Sequence, residues 1–172
     1  MQRLKKADSL LTTLGGYFNW ISNKGVSPNV ASFVGHTSVR KIVMDMADRN
    51  PTIAELDQMK KLVDEGMRDG AMGLGTSLIY PPANYAKTEE LIELSKVVSR
   101  YGGMYTTHMR SEGDFIKQAL NETFRIAKEA KIHAEIYHIK LSIARNWNKV
   151  DTVISKMDSA QKAGLKITAN LY

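Results

Sequence analysis

The sequence predicts an α/β fold built on a parallel sheet. Short apolar runs alternate with segments of helical period along residues 29–171, and His108 and His138 end two such runs thirty residues apart, the length of one strand–helix unit. No GxGxxG or GxxxxGKS phosphate loop occurs, and Gly73-Leu-Gly75 lacks the third glycine and the helix start of a dinucleotide fingerprint. A doubly wound nucleotide-binding sheet is disfavoured on that ground. Periodicity alone does not separate an open sheet from a barrel segment.

Leu10, Leu14, Tyr17, Phe18 and Ile21 predict a leading helix within residues 1–28. Residues 29–35, bounded by Pro28 and Gly35, read as a buried parallel strand that ends near His36. Thr52 and Glu55 form a capping box, Leu56, Met59, Val63 and Met67 share one helical face, and Gly70 offers a left-handed stop. A second strand follows at 71–76, then a loop stiffened by Pro81 and Pro82. Thr88 is the expected cap of the next helix, with Glu89 and Glu90 at its positive end and Leu91, Leu94, Val98 and Tyr101 as its buried stripe.

The third strand is expected at 104–108. Phe115, Ala119, Thr123, Ile126 and Ala130 mark the following helix, which leads to a fourth strand at 133–138. Val150, Val153, Ile154, Met157 and Ala160 mark another helix, stopped by Gly164, and a fifth strand covers 166–171. The expectation is one domain over 1–172: a leading helix and connection in 1–28, then five strands alternating with four helices in 29–172.

At 172 residues with 43% apolar content the chain has material for a core. It has no cysteine, so it holds neither disulfides nor thiolate zinc sites, and a metal here must use histidine and oxygen ligands. The net charge of +6 is scattered over helical segments without a dense basic block, which favours a solvated surface over nucleic-acid binding. No signal-like h-region and no 18-residue apolar stretch occurs, so no membrane association and a cytoplasmic setting are expected.

In a parallel βα array both His108 and His138 emerge at the carboxyl-terminal face, where barrel enzymes keep their chemistry, and the pair suggests two metal ligands on adjacent strands. The alternative for each is a core histidine satisfied by a backbone carbonyl. His36 reads as structural or pocket-lining, and His133 as a surface residue at the opposite strand end. Strand alternation places Lys140 on the same side as His138, where a lysine is costly unless it meets an anion; the alternative is a lysine that has reached solvent. Arg110 is expected to hold Glu112 or a backbone carbonyl. Ser111 has no paired base and is no nucleophile. Asn146 and Trp147 are expected at the mouth of the pocket.

The stretches Val34-Gly-His36, Ala71-Met-Gly-Leu-Gly-Thr76 with Tyr80-Pro-Pro82, Tyr105-Thr-Thr-His108-Met-Arg-Ser-Glu-Gly113, His138-Ile-Lys140 and Arg145-Asn-Trp147 occur in one order. Together they resemble the N-acyl-D-amino-acid deacylases (D-aminoacylases) of the amidohydrolase superfamily over about residues 15–172. The resemblance implies an internal part of a metal-dependent (β/α)8 TIM-type barrel, about strands three to seven. It matches His108 and His138 to the histidines of the fifth and sixth strands, which hold zinc, Lys140 to the lysine that takes the substrate carboxylate, and Tyr80 to a residue near the scissile amide. A tyrosine packed on prolines is the alternative for Tyr80.

The family's HxH pair, its cysteine and its catalytic aspartate have no counterpart here. The expectation is therefore a segment whose complete form hydrolyses N-acyl-D-amino acids by metal-activated water, the isolated chain being inactive. The alternatives are a non-catalytic remnant, or a split chain that needs a complementary fragment or self-associates; a basic nucleic-acid-binding domain comes third.

Overall fold

The computed structural model describes residues 12–171; the expectation for Leu10 of the leading helix lies outside them. The helices are α1 (Leu14–Lys24), α2 (His36–Met44), α3 (Ile53–Arg68), α4 (Thr88–Ser99), α5 (Ile116–Ala130) and α6 (Val150–Lys162). The strands are β1 (Val34–Gly35), β2 (Gly73–Ser77), β3 (Met104–His108), β4 (His133–Ile136) and β5 (Ile167–Ala169). All five pair in parallel in the order β1-β2-β3-β4-β5. A doubly wound sheet reverses its order at a switch point; sequential order throughout is that of a barrel arc. The fold is a partial (β/α)8 barrel.

The two faces of the arc differ. Leu74, Thr76, Tyr105, Thr107, Ala134, Ile136 and Ile167 are buried under the helices, and Thr76 Oγ1 lies 3.0 Å from the Tyr105 hydroxyl and 2.8 Å from Thr107 Oγ1. Their alternating neighbours Gly75, Ser77, Thr106, His108, Glu135 and Thr168 take the concave face. The helices pack successively, α2 on α3, α3 on α4, α4 on α5 and α5 on α6, so the core lies between this layer and the sheet. Two glycines permit the approach: a Cβ at Gly66 of α3 would meet Val34 Cγ2 at 2.4 Å, and one at Gly73 would meet the Met104 carbonyl oxygen at 1.8 Å.

The local signals of α3 are realised, with the Thr52–Glu55 capping box formed and Met59, Val63 and Met67 buried. Gly70, Gly102 and Gly164 all have positive φ after their helices. Other expectations need correction. Strand β1 is two residues long where seven were expected, because an edge with one neighbour among the described residues keeps only part of its ladder. Strand β4 ends at Ile136, not 138, and β2 and β5 are shifted or shortened at 73–77 and 167–169.

Helix α2 was unforeseen, since it has no side-chain cap and buries an arginine with its apolar residues; His36 opens this helix and does not end a strand. Thr88 is the first residue of α4 and its hydroxyl donates to Glu122, so it is not the cap. Tyr101, read as part of a buried stripe, is exposed, and so are Phe115, Val150 and Ile154, which marked the helical period of their segments. No helix among the described residues is long and apolar enough to cross a membrane.

Candidate metal centre

His108 is the last residue of β3, and His138 follows β4 by two residues in a left-handed backbone conformation, φ 60°. The His138 N–H donates to Asn170 Oδ1 at 2.9 Å and that of Ile139 to the Asn170 carbonyl at 2.9 Å, so the residue that follows β5 holds this turn in place. The turn swings His138 against His108: His108 Nδ1 lies 2.9 Å from His138 Nε2 with the rings edge to face. The sequence spacing anticipated the pair; the path that joins it is a turn rather than the end of a regular strand.

Glu112 completes the cluster. His108, Glu112 and His138 each offer one ligand atom within 4.8 Å of the others, and Glu112 Oε1 lies 3.3 Å from His138 Nδ1 and 3.7 Å from His108 Nε2. The sequence offers this carboxylate or a backbone carbonyl as the partner of Arg110. Arg110 instead forms a two-nitrogen ion pair with Glu122, at 3.0 Å on each oxygen, and donates to the carbonyls of Asn84 and Ala86 at 2.8 and 2.9 Å. The expected carbonyl clamp on the loop is present; its acidic partner comes from α5.

Lys140 lies beyond the end of β4, so strand alternation does not place it, yet it meets an anion. Its Nζ is 2.8 Å from Glu112 Oε1, 3.1 Å from His138 Nδ1 and 3.1 Å from the His138 carbonyl. An ammonium only donates, so His138 Nδ1 accepts. The proton of a neutral His138 then sits on Nε2 and is donated to His108 Nδ1, which leaves the His108 proton on Nε2, a buried atom with no hydrogen-bond partner. Burial pushes the His108 pKa down, Glu112 opposes this, and His138 and Lys140 add to the lowering. The neutral ring, the form that ligates metals, is thereby favoured.

Tyr80 lies in the loop after β2, half exposed, its ring centroid 5.9 Å from that of His108. The loop is tied to β3 by the Leu78 N–H on the His108 carbonyl at 3.0 Å and by Arg110. At the other side Asn146 is buried and holds the Ser142 carbonyl, while Trp147 is exposed with its indole N–H on the Leu141 carbonyl. His133, at the opposite strand end, meets Thr168 Oγ1 at 2.7 Å and is remote from the cluster in the register. His36 is fully buried against Glu90 on α4 and is structural.

Two imidazoles and a carboxylate are a donor set that suits zinc with positions left open for water. His108 Nε2 is a buried polar atom with no hydrogen-bond partner beside this donor set, and moving the ring proton to the other nitrogen would free it to ligate.

No family model matches the chain. It is similar to a D-aminoacylase of Alcaligenes xylosoxydans xylosoxydans, with 40% identity over 132 residues that make up 77% of this chain and 27% of that protein. Its fold matches a crystal structure of D-aminoacylase that defines a subset of the amidohydrolases, at TM-score 0.89 and 34% identity, covering 93% of this chain and 34% of that one. It also matches an N-acyl-D-glutamate deacylase of Bordetella bronchiseptica, solved with zinc and a phosphonate mimic of the tetrahedral intermediate, at TM-score 0.89 and 27% identity over the same shares. The chain spans about a third of the length of these relatives.

Proposed function

We infer that this chain is an interior segment of an N-acyl-D-amino-acid deacylase barrel of the amidohydrolase superfamily. We propose that the complete protein hydrolyses the amide of N-acyl-D-amino acids with the help of zinc. The carrying observation is the convergence of His108 and His138 from two successive βα units, at the strand ends where such barrels keep their sites. The relatives that share the sequence and the fold are deacylases, one of them solved with zinc. In this reading residues 1–172 are one partial barrel domain.

His108 and His138 would hold the zinc, which when bound supplies Lewis acidity for the attacking water and the acyl carbonyl. Lys140 would take the substrate carboxylate, for which its ammonium must exchange Glu112 for the incoming anion. Tyr80, with its exposed ring beside His108, would orient the substrate near the scissile amide. Burial lowers the His108 pKa, which favours the neutral ring that ligates metals. No aspartate among the described residues joins the histidine cluster, and in this reading the complete protein supplies the family's aspartate as proton carrier for the attacking water.

One observation favours a companion reading, in which the chain works only with a complementary segment or a second copy. Strands β1 and β5 each have a single partner among the described residues, and open edges are templates for further strands. The partners of the complete protein are then small N-acyl-amino acids, with no nucleic acid and no membrane, in a cytoplasmic setting. Zinc calorimetry tests the centre: binding by the chain, lost in His108→Ala and in His138→Ala and kept in His133→Ala, is the expected result. Equal binding by all variants would remove the site.

A further inference from the structure

We propose that Glu135 is a positioning residue: from the concave face of the arc its carboxylate sets the amide of Asn170, and that amide sets the backbone turn that presents His138. The consequence for zinc rests on the metal reading of His138, whereas the consequence for the backbone does not. Three successive N–H groups follow β4. That of Tyr137 donates to the Thr107 carbonyl at 3.0 Å, and that of Ile139 to the Asn170 carbonyl at 2.9 Å. The His138 N–H between them takes a side-chain acceptor, Asn170 Oδ1 at 2.9 Å. The Asn170 backbone is itself anchored, since its N–H donates to the Ile136 carbonyl at 3.0 Å.

An amide whose oxygen faces the His138 N–H must turn its nitrogen the other way, and there it meets Glu135: Asn170 Nδ2 donates to Glu135 Oε1 at 3.0 Å. Glu135 stands opposite Thr168 in the β4–β5 register. The Thr168 hydroxyl donates to Glu135 Oε2 and accepts from His133 Nε2, which lies 2.7 Å from it. Both carboxylate oxygens are thus committed to donors, and strand alternation keeps Glu135, Thr168 and Asn170 on the face that a closed barrel turns inward. The polarity of this chain is fixed. Alanine at 170 offers the His138 N–H no acceptor, and aspartate offers one but sets a second carboxylate against Glu135. Reversing both roles restores the pattern: with Glu135→Gln and Asn170→Asp together, the new amide accepts from Thr168 and donates to the new carboxylate, which accepts from His138.

The test is amide hydrogen exchange by NMR at the His138 N–H, with the Tyr105 N–H of β3 as the reference for global opening, followed by a zinc titration. It compares the chain with Asn170→Ala, Asn170→Asp, Glu135→Gln and the double variant Glu135→Gln/Asn170→Asp. At neutral pH Asn170→Ala and Asn170→Asp should speed exchange at His138 about tenfold, leave Tyr105 unchanged and weaken zinc binding about tenfold. Glu135→Gln alone should cost less than about threefold, and the double variant should return both readouts to within about threefold of the parent. Should Asn170→Asp fail to fold, the double variant must regain the fold. A double variant no better than Asn170→Asp, or a His138 N–H as protected in Asn170→Ala as in the parent, overturns the proposal. So does zinc affinity unmoved by Asn170→Asp in a chain that binds zinc. A parent chain that binds no zinc while the exchange pattern holds overturns the metal reading instead and supports the Glu135–Asn170 pair.

Discussion

Replacing Glu90 by glutamine should destabilise the chain by about 3 kcal/mol, the low end of the roughly 3–5 kcal/mol for breaking a buried ion pair. Glu90 of α4 and Arg40 of α2 are ion-paired with side chains 2% and 0% exposed, and His36 Nε2 contacts the second carboxylate oxygen at 2.8 Å. Burial pushes the Glu90 pKa up, but the hydrogen bond to His36 and the charges of His36 and Arg40 outweigh it and leave it lowered. Glutamine keeps the shape and a possible bond to His36 but strips the guanidinium of its counter-charge. Arg40 retains the carbonyls of Ala47 and Arg49 at 3.1 and 2.7 Å, which is why the low end applies.

Urea unfolding at neutral pH is the assay, and with a slope near 2 kcal/mol/M the midpoint should fall by roughly 1.5 M. Arg40→Met combined with Glu90→Gln should recover more than half of the loss, because the stranded charge is gone. A Glu90→Gln chain within about 1 kcal/mol of the parent, or a double variant no better than the single one, would refute the account.

Gly73→Ala should cost more than about 3 kcal/mol and perturb the β2–β3 pairing, since the new Cβ must displace the Met104 carbonyl and not a flexible side chain; wild-type stability in urea would contradict this. Burial holds the Tyr105 phenol up at about 12, against hydrogen bonds from Thr107 and Thr76 that lower it. Its folded pKa is thus raised, so its stabilising share is intact below pH about 10 and is lost as pH climbs through about 12. Tyrosinate absorbance should show one late phase coincident with unfolding, absent in Tyr105→Phe. Self-association through β5 is expected at micromolar concentration, and Ala169→Pro should reduce it: Asn170 uses its N–H and carbonyl toward β4, so the alternating Ala169 N–H points to the open edge. Sedimentation unchanged by the proline would count against that edge.

Features governed by neighbours in the chain were legible before any fold was known. The Thr52–Glu55 box spans three residues, the helix-ending glycines need only their own φ, and the stripe Met59, Val63, Met67 follows from helical period. The thirty-residue spacing of His108 and His138 was legible for the same kind of reason, because one βα unit has a nearly constant length. Periodicity identifies a helix face but not what will cover it. Phe115, Val150 and Ile154 show the limit, since they fit their stripes and are nonetheless exposed.

By itself, then, the sequence determined the order of the strands and of every helix except α2, the capping box of α3, the glycine stops after several helices, and the pairing of two histidines at one end of the sheet. Only the tertiary structure decided that Arg110 reaches Glu122 on α5, that Arg40 and Glu90 lock α2 to α4, and that a turn of positive φ brings His138 to His108. It also set Glu112 beside both rings with Lys140 on its oxygen. The physical reason is range: caps and period act over one or two helical turns, whereas a buried charge takes whichever partner the packing of distant elements brings within about 3 Å.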